Sequence, residues 1–238
     1  MIDSWLGVEP SSSIILESDR IEKGRTSTNT DSVVNSENSK IGSSSSDGRK
    51  RRSTNTKLRI VDALLDLVNE GDYHPTARQI AVRAGVSERS VFQHFNDLNE
   101  LHTAVGQRQF DRLQKFRQPI PQSANFDKRL KIYVNQRANV LEAVTPIRRA
   151  LMIVEPSSTS LMQLRQTFHQ MNIDHILESF TVELETVEAN HRMLMIDAVE
   201  AVSSWHNWEA IRFQGNSVAR AKKIVELIIR SLFETALK

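Results

Sequence analysis

The stretch TARQIAVRAGVSERSVFQHF, Thr76 to Phe95, leaves the chain few options. Thr76 with Gln79 three residues on forms a capping box, in which the hydroxyl accepts a backbone N–H and the amide answers it. Ser87 is a second cap, and Gly85 just before it can take the positive φ that ends a helix. Two helices this short, joined by a turn too tight to be a loop, must cross steeply and share one small core. Ala81 is small where they approach, Ile80, Val86 and Val91 face inward, and Phe95 plugs the base against the element that follows. The pattern predicts a helix-turn-helix.

The remaining chain keeps the helical period. Leu58, Val61, Leu64, Leu65 and Val68 recur at three and four residues in a helix expected from Thr56, stopped by Gly71 and Asp72. A longer helix is expected from about Asp97 to Phe116, ending before Pro119 and Pro121. Others are expected near 125–143, 146–154, 158–187, 191–214 and 217–236, with Pro146 in a first turn, Pro156 as a break and Ser217 as a cap. No segment alternates with a period of two, so the fold is predicted to be all-α. Residues 1–52, rich in Ser, Thr and Asn without apolar period, read as a disordered tail ending in a basic arm, Arg49, Lys50, Arg51 and Arg52. Within that tail, MIDSWLGV and SIIL (Ser13 to Leu16) are locally apolar and able to dock. The expected plan is a tail over 1–52, a helix-turn-helix domain over 53–116 and a second helical domain over 117–238.

Charge and composition narrow the function. The chain carries a net +2, but residues 49–118 hold 13 Lys and Arg against 8 Asp and Glu, while residues 1–48 hold 4 against 8. The positive charge therefore gathers around the two short helices. Without cysteine there is no disulfide, no thiolate metal site and no thiol nucleophile. No apolar run is long enough to cross a membrane, and acids at Asp3 and Glu9 do not suit a secretory signal, so a soluble cytoplasmic chain is expected. G-x-G-x-x-G, Walker, G-x-S-x-G and H-E-x-x-H patterns are missing. His169 and His175 are six apart, wrong for a shared metal on one helix, and Glu183, Glu185 and Glu188 read as an acidic patch rather than a di-metal site. No enzyme, metal or cofactor is expected.

The outward face of the second short helix carries Glu88, Arg89, Ser90, Gln93 and His94, with Phe92 beside them and Ser87 at its start. A major groove about 12 Å wide admits one helix, and its base edges are read by Arg on guanine and Gln on adenine. Arg89 and Gln93, four apart, share a face suited to that chemistry. Arg78 is placed for a base edge or a phosphate, and the open N–H groups near Thr76 suit a phosphate. The same polar residues on a face turned only to water are the competing reading.

TARQIAVRAGVSERSVFQHFNDLNELHTAV resembles the N-terminal DNA-binding domain of the tetracycline-repressor (TetR) family of bacterial transcriptional regulators, over about Thr56 to Phe110. The resemblance implies a homodimer on a palindromic operator in double-stranded DNA, a helical second domain and release by a small-molecule effector. It places Thr76 and Arg78 among first-helix contacts, Glu88, Arg89, Ser90 and Gln93 at recognition positions, and His94 as a phosphate-contacting or bracing residue. Phe92 stands where most members have Tyr, and Asn96 to Asn99 lack the usual lysine, so the basic arm is a candidate replacement.

The resemblance weakens in the second half, although the last two helices, with Trp205, Trp208 and Arg212 in their W-x-x-(I/L)-R region, resemble those that pair across a dimer. Val225, Ile228, Ile229 and Leu232 belong to an apolar stripe in the final helix, read as a dimer face or as part of the monomer's own core. Candidate effector-lining residues are Phe116, Tyr133, Met152, Met162, Phe168, Met171 and His175, each of which also suits plain core. A regulator that answers a protein partner, or no ligand, is the alternative.

Overall fold

The computed structural model describes residues 42–236; MIDSWLGV and SIIL lie outside them. Among the described residues there are ten α-helices and no strand. The first four are α1 Gly42–Asn69, α2 Ala77–Ala84, α3 Glu88–His94 and α4 Leu98–Leu113, which runs on into a 3-10 turn at Gln114–Phe116. Helix α1 begins well before Thr56, so Arg49 to Arg52 lie within it and the expected tail boundary at 52 falls inside a helix. Once residues 60–68 are anchored by burial of Ile60, Leu64, Leu65 and Val68, each added turn needs no new nucleus, and Arg and Lys are good helix formers.

The second half comprises α5 Phe126–Leu151, α6 Thr159–Ser179, α7 Thr181–Thr186, α8 Ala189–Val202, α9 Trp205–Phe213 and α10 Val218–Ala236. Pro146 does not open a helix as expected; it sits inside α5. An interior proline costs roughly 3 kcal/mol. Leu141 and Val144 before it and Ile147 and Leu151 after it are all buried on one face, which holds the helix together across the defect. The segments expected as single helices over 158–187 and 191–214 each break once, at Phe180 and at Ser203–Ser204. Phe180 has no side-chain cap to offer, but its ring is completely buried, whereas Ser204 caps α9 by accepting from the N–H of Asn207.

An aromatic cluster centres this half. Phe180 lies 5.1 Å from Phe233, 5.2 Å from Tyr133 and 6.1 Å from Phe126, measured between ring centroids, which ties α5, α6 and α10 together. Beside it Arg129 is buried as an ion pair with Glu183 and donates to the carbonyl oxygens of Ala124 and Ser179, so neither charge is left alone. The Tyr133 hydroxyl, on the inner side, meets Ser203 Oγ at 2.8 Å and donates to Asn172 Oδ1 at 3.3 Å. Removing the central ring by Phe180→Ala should cost about 3–5 kcal/mol in urea unfolding, because the surrounding rings can close the cavity only in part.

Candidate nucleic-acid interface and effector cavity

Local chemistry builds the short-helix pair as its sequence requires. Thr76 Oγ1 accepts from the N–H of Gln79 at 3.3 Å, and Gln79 Oε1 accepts from the N–H of Thr76 at 2.8 Å. Gly85 adopts φ 63°, and the N–H of Val86 reaches back to the Ala81 carbonyl at 3.0 Å, closing the end of α2. A side chain at 85 would meet Arg59, whose guanidinium donates to the Ala84 and Gly85 carbonyls from α1. Sequence reasoning missed Arg59, since nothing in its own neighbourhood signals that a turn twenty-five residues on needs a donor. Ser87 Oγ accepts from the N–H of Ser90 at 3.2 Å, and Arg83 clamps Glu70 at the end of α1 with both guanidinium nitrogens.

On α3 the exposed side chains are Glu88, Arg89, Phe92 and Gln93, while Ser90 and His94 are half-buried. Arg78, Arg89 and Gln93 make no side-chain hydrogen bond or ion pair among the described residues, which leaves their donors open to a partner. Phe92 is 54% exposed, unusual for an aromatic ring on so short a helix. Asn96 and Asp97 do not replace the missing lysine. They cap α4: Asp97 Oδ1 accepts from the N–H of Glu100 at 2.7 Å and Glu100 Oε2 from the N–H of Asn96 at 2.9 Å. Lys57 of α1 instead lies over the Phe95 ring and pairs with Glu100 at 3.1 Å. Arg49 to Arg52 are exposed on the outer turns of α1.

Helix α4 is tied to both halves. Arg108 and Arg112 converge on Asp62 of α1 at 3.0 and 2.6 Å. Gln109 donates to the Ala143 carbonyl of α5 at 2.7 Å. Arg149 of α5 bridges the Tyr73 hydroxyl, in the loop after α1, and Glu209 of α9.

Behind α4 lies a cavity of about 50 Å³ between α4, α5 and α6, where Phe110, Phe116, Phe168, Met171 and His175 meet. A larger pocket of about 430 Å³ adjoins it between α5, α6, α8 and α9 and includes Trp205. Arg137, Val140 and Phe168 line both. Four of the seven candidate lining residues thus come together. Tyr133 does not join them: it is fully buried in the hydroxyl network described above. Met152 and Met162 are 47% and 41% exposed, because the helix faces that carry them turn outward.

The final helix divides the residues expected at a dimer face. Val225 and Ile229 belong to the fully inward row of α10, with Ala221 and Phe233, and fill this chain's own core. Trp208 is buried too, its Nε1 donating to Glu142 Oε1 at 2.7 Å, and Arg212 donates to the same carboxylate at 2.9 Å. Trp205 is buried with its Nε1 on Thr145. A strong intramolecular role explains their conspicuous sequence pattern. Ile228 and Leu232 sit one position round, beside Leu194 and Met195 in a groove of about 670 Å³ between α8 and α10. Leu194 and Leu227 are 65% and 64% exposed. Glu188 in the acidic patch has His191 three residues on and lies 3.6 Å from it, but no cluster of three metal-ligating side chains forms among the described residues. No helix among them is long and apolar enough to cross a membrane.

Residues 60–105 match the family model for bacterial regulatory proteins, tetR family. Among solved structures, a transcriptional regulator from Rhodococcus sp. Rha1 is similar with TM-score 0.60 and 16% identity, over 76% of this chain and 98% of that one. A tetR-family regulator from Streptomyces coelicolor is similar with TM-score 0.60 and 20% identity, over 74% and 78%. The multidrug binding protein EbrR, complexed with imidazole, is similar with TM-score 0.51 and 12% identity, over 74% and 93%. No curated protein matches the chain. The fold and the exposed, capped helix-turn-helix define a DNA-binding transcription regulator. Residues 60–105 thus form a DNA-binding domain of the tetR-family type.

His175 gives the cavity a measurable signature. Burial, then the nearby Arg117 and Arg137 charges, push its imidazole from 6.5 down to about 4. The unfolded chain therefore binds the proton first, and stability should fall as pH drops from 6.5 towards 4 and level off below. The loss should be roughly 3 kcal/mol at most. His175→Phe should flatten that part of the curve in urea unfolding measured across the pH range.

Proposed function

We propose that this chain is a cytoplasmic, non-catalytic repressor that binds a palindromic operator as a homodimer and is released by a small molecule. Arg89 and Gln93 read base edges in the major groove, Arg78 reads a base edge or a phosphate, and Thr76, Ser87, Ser90 and His94 place the backbone. Glu88 and Phe92 flank that face, and Arg49 to Arg52 add phosphate contacts beyond it. The observation that carries this reading is the set of unengaged donors on Arg78, Arg89 and Gln93, exposed together on a helix pair that is locked from behind by Arg59 and two capping hydroxyls.

The effector half rests on the cavity between α4, α5 and α6. Phe110 and Leu113 of α4 form part of its wall, and the same helix holds Asp62 of α1 through Arg108 and Arg112. A ligand that moves α4 therefore moves the head. That EbrR, a multidrug binding protein of like fold, is complexed with imidazole supports a small-molecule effector. The groove between α8 and α10, lined by exposed Leu194 with Ile228 and Leu232, supplies together with exposed Leu227 of α10 an isologous apolar face, and a twofold through it would present two α3 helices to one DNA site.

Selection from random duplex DNA should enrich an inverted repeat. Arg89→Ala should relax preference at one base pair per half-site at a cost of ~1–3 kcal/mol. Unchanged affinity and preference in that variant would put the recognition register elsewhere. Leu194→Asp with Leu227→Asp should give a monomer by sedimentation and reduce the enriched site to a half-site; a dimer that survives both changes would remove this face from the proposal.

A further inference from the structure

Arg137 stands at the junction of the two pockets without a counter-ion. Its Nε donates to the Ser203 carbonyl at 2.8 Å, and among the described residues no carboxylate pairs with it. Its neighbours differ: Arg117 holds Glu178, and Arg148 and Arg165 share Glu155. Glu200, whose field Arg137 feels, is engaged with His169 at 3.2 Å. Desolvation lowers the Arg137 pKa although the field of Glu200 opposes it, so the fold carries here a cation that no carboxylate contacts among the described residues. His175, on the facing helix, lines the same cavity, and its buried Nε2 has no hydrogen-bond partner. An unpaired guanidinium and an unpartnered imidazole nitrogen thus converge where an aromatic wall is already in place.

We propose that the effector is an organic monoanion, its carboxylate or equivalent head held by Arg137 and His175 and its apolar body lying along Phe168 and Trp205 in the larger pocket. This rests on the effector reading above and adds the ligand's charge to it. The head completes an ion pair the protein leaves open, and a planar guanidinium suits a two-oxygen head. The pocket's volume of about 430 Å³ admits a body of fused-ring or medium-chain size. The carboxylate lining this pocket, Glu200, already shares a hydrogen-bond contact with His169, whereas the Arg137 guanidinium has no carboxylate partner among the described residues.

The test uses the full chain and two matched probe series, 2-naphthoate with 2-naphthamide and 2-naphthylmethylammonium, and octanoate with octanamide and octylammonium. Binding is read by titration calorimetry and by the fluorescence of the pocket tryptophan. Each carboxylate should bind at least about tenfold tighter than its amide, with the ammonium weakest. Arg137→Gln should bring the carboxylate down to the amide's affinity, and Arg137→Lys should keep part of the preference. Equal binding of amide and carboxylate, or a preference that survives Arg137→Gln, overturns the anion assignment while leaving an effector site in place. Silence from both series at millimolar concentration overturns the effector reading as well. The three-probe comparison on the unaltered protein decides the matter even if an Arg137 variant does not fold.

Discussion

Helix α4 lies close against α6 at Gly106, which leaves room there for the side chain of Leu164. A Cβ there would come within 2.5 Å of a Leu164 methyl, which would have to turn aside, with Leu161 and Leu151 at van der Waals distance. The consequences of that contact reach in both directions. Near the start of α4 the fully buried Leu101 and Val105 fix it in a core. In its last two turns Arg108 and Arg112 hold Asp62 of α1, while Phe110 and Leu113 form part of the wall of a cavity. One helix therefore contributes both to the head and to the cavity wall.

The polar contacts around this helix position it more than they stabilise it. The arginines on Asp62 are about one-third exposed, as is the carboxylate, and ion pairs in such surroundings contribute about 0–1 kcal/mol each. Two guanidinium groups on one carboxylate nevertheless allow few orientations of α1 relative to α4. Tyr73, Arg149 and Glu209 form a second such tie at a different height of the bundle. On the proposed reading of release by a ligand, two ties of small energy and narrow geometry suit a junction with two arrangements, since neither is held too strongly to leave.

What the sequence made legible was whatever a few consecutive residues decide. Thr76, Gln79, Gly85 and Ser87 announce their turn because caps and positive φ are local, and the α2–α3 pair follows them closely. Val225 and Ile229 were readable as apolar but not as belonging to one side of α10 or the other: an amphipathic stripe reports that a neighbour exists without saying whose chain it is on. Pro146 misled because local propensity was outweighed by buried Leu141, Val144 and Ile147. Met152 and Met162 carry the composition of a pocket on faces that turn to solvent. Arg137 was invisible for a different reason. An unpaired cation is defined by which carboxylates fail to reach it, and that depends on the whole bundle.

The helical form of residues 49–52 changes what a basic segment can contribute on the proposed reading. In an extended arm, four successive cations would span roughly 13 Å and follow a groove. On α1 they occupy little more than one turn, with successive side chains about 100° apart, so they point around the helix. A single phosphate row can meet about two of them. Their share of the salt dependence is then about two counterions rather than four. The orientation of those two is set by Ile60, Leu64 and Val68 in the core. The rigid continuation of α1 thus makes the basic turn an extension of the same body that Arg59 locks to the recognition pair, and a phosphate caught there is placed in register with the bases under α3.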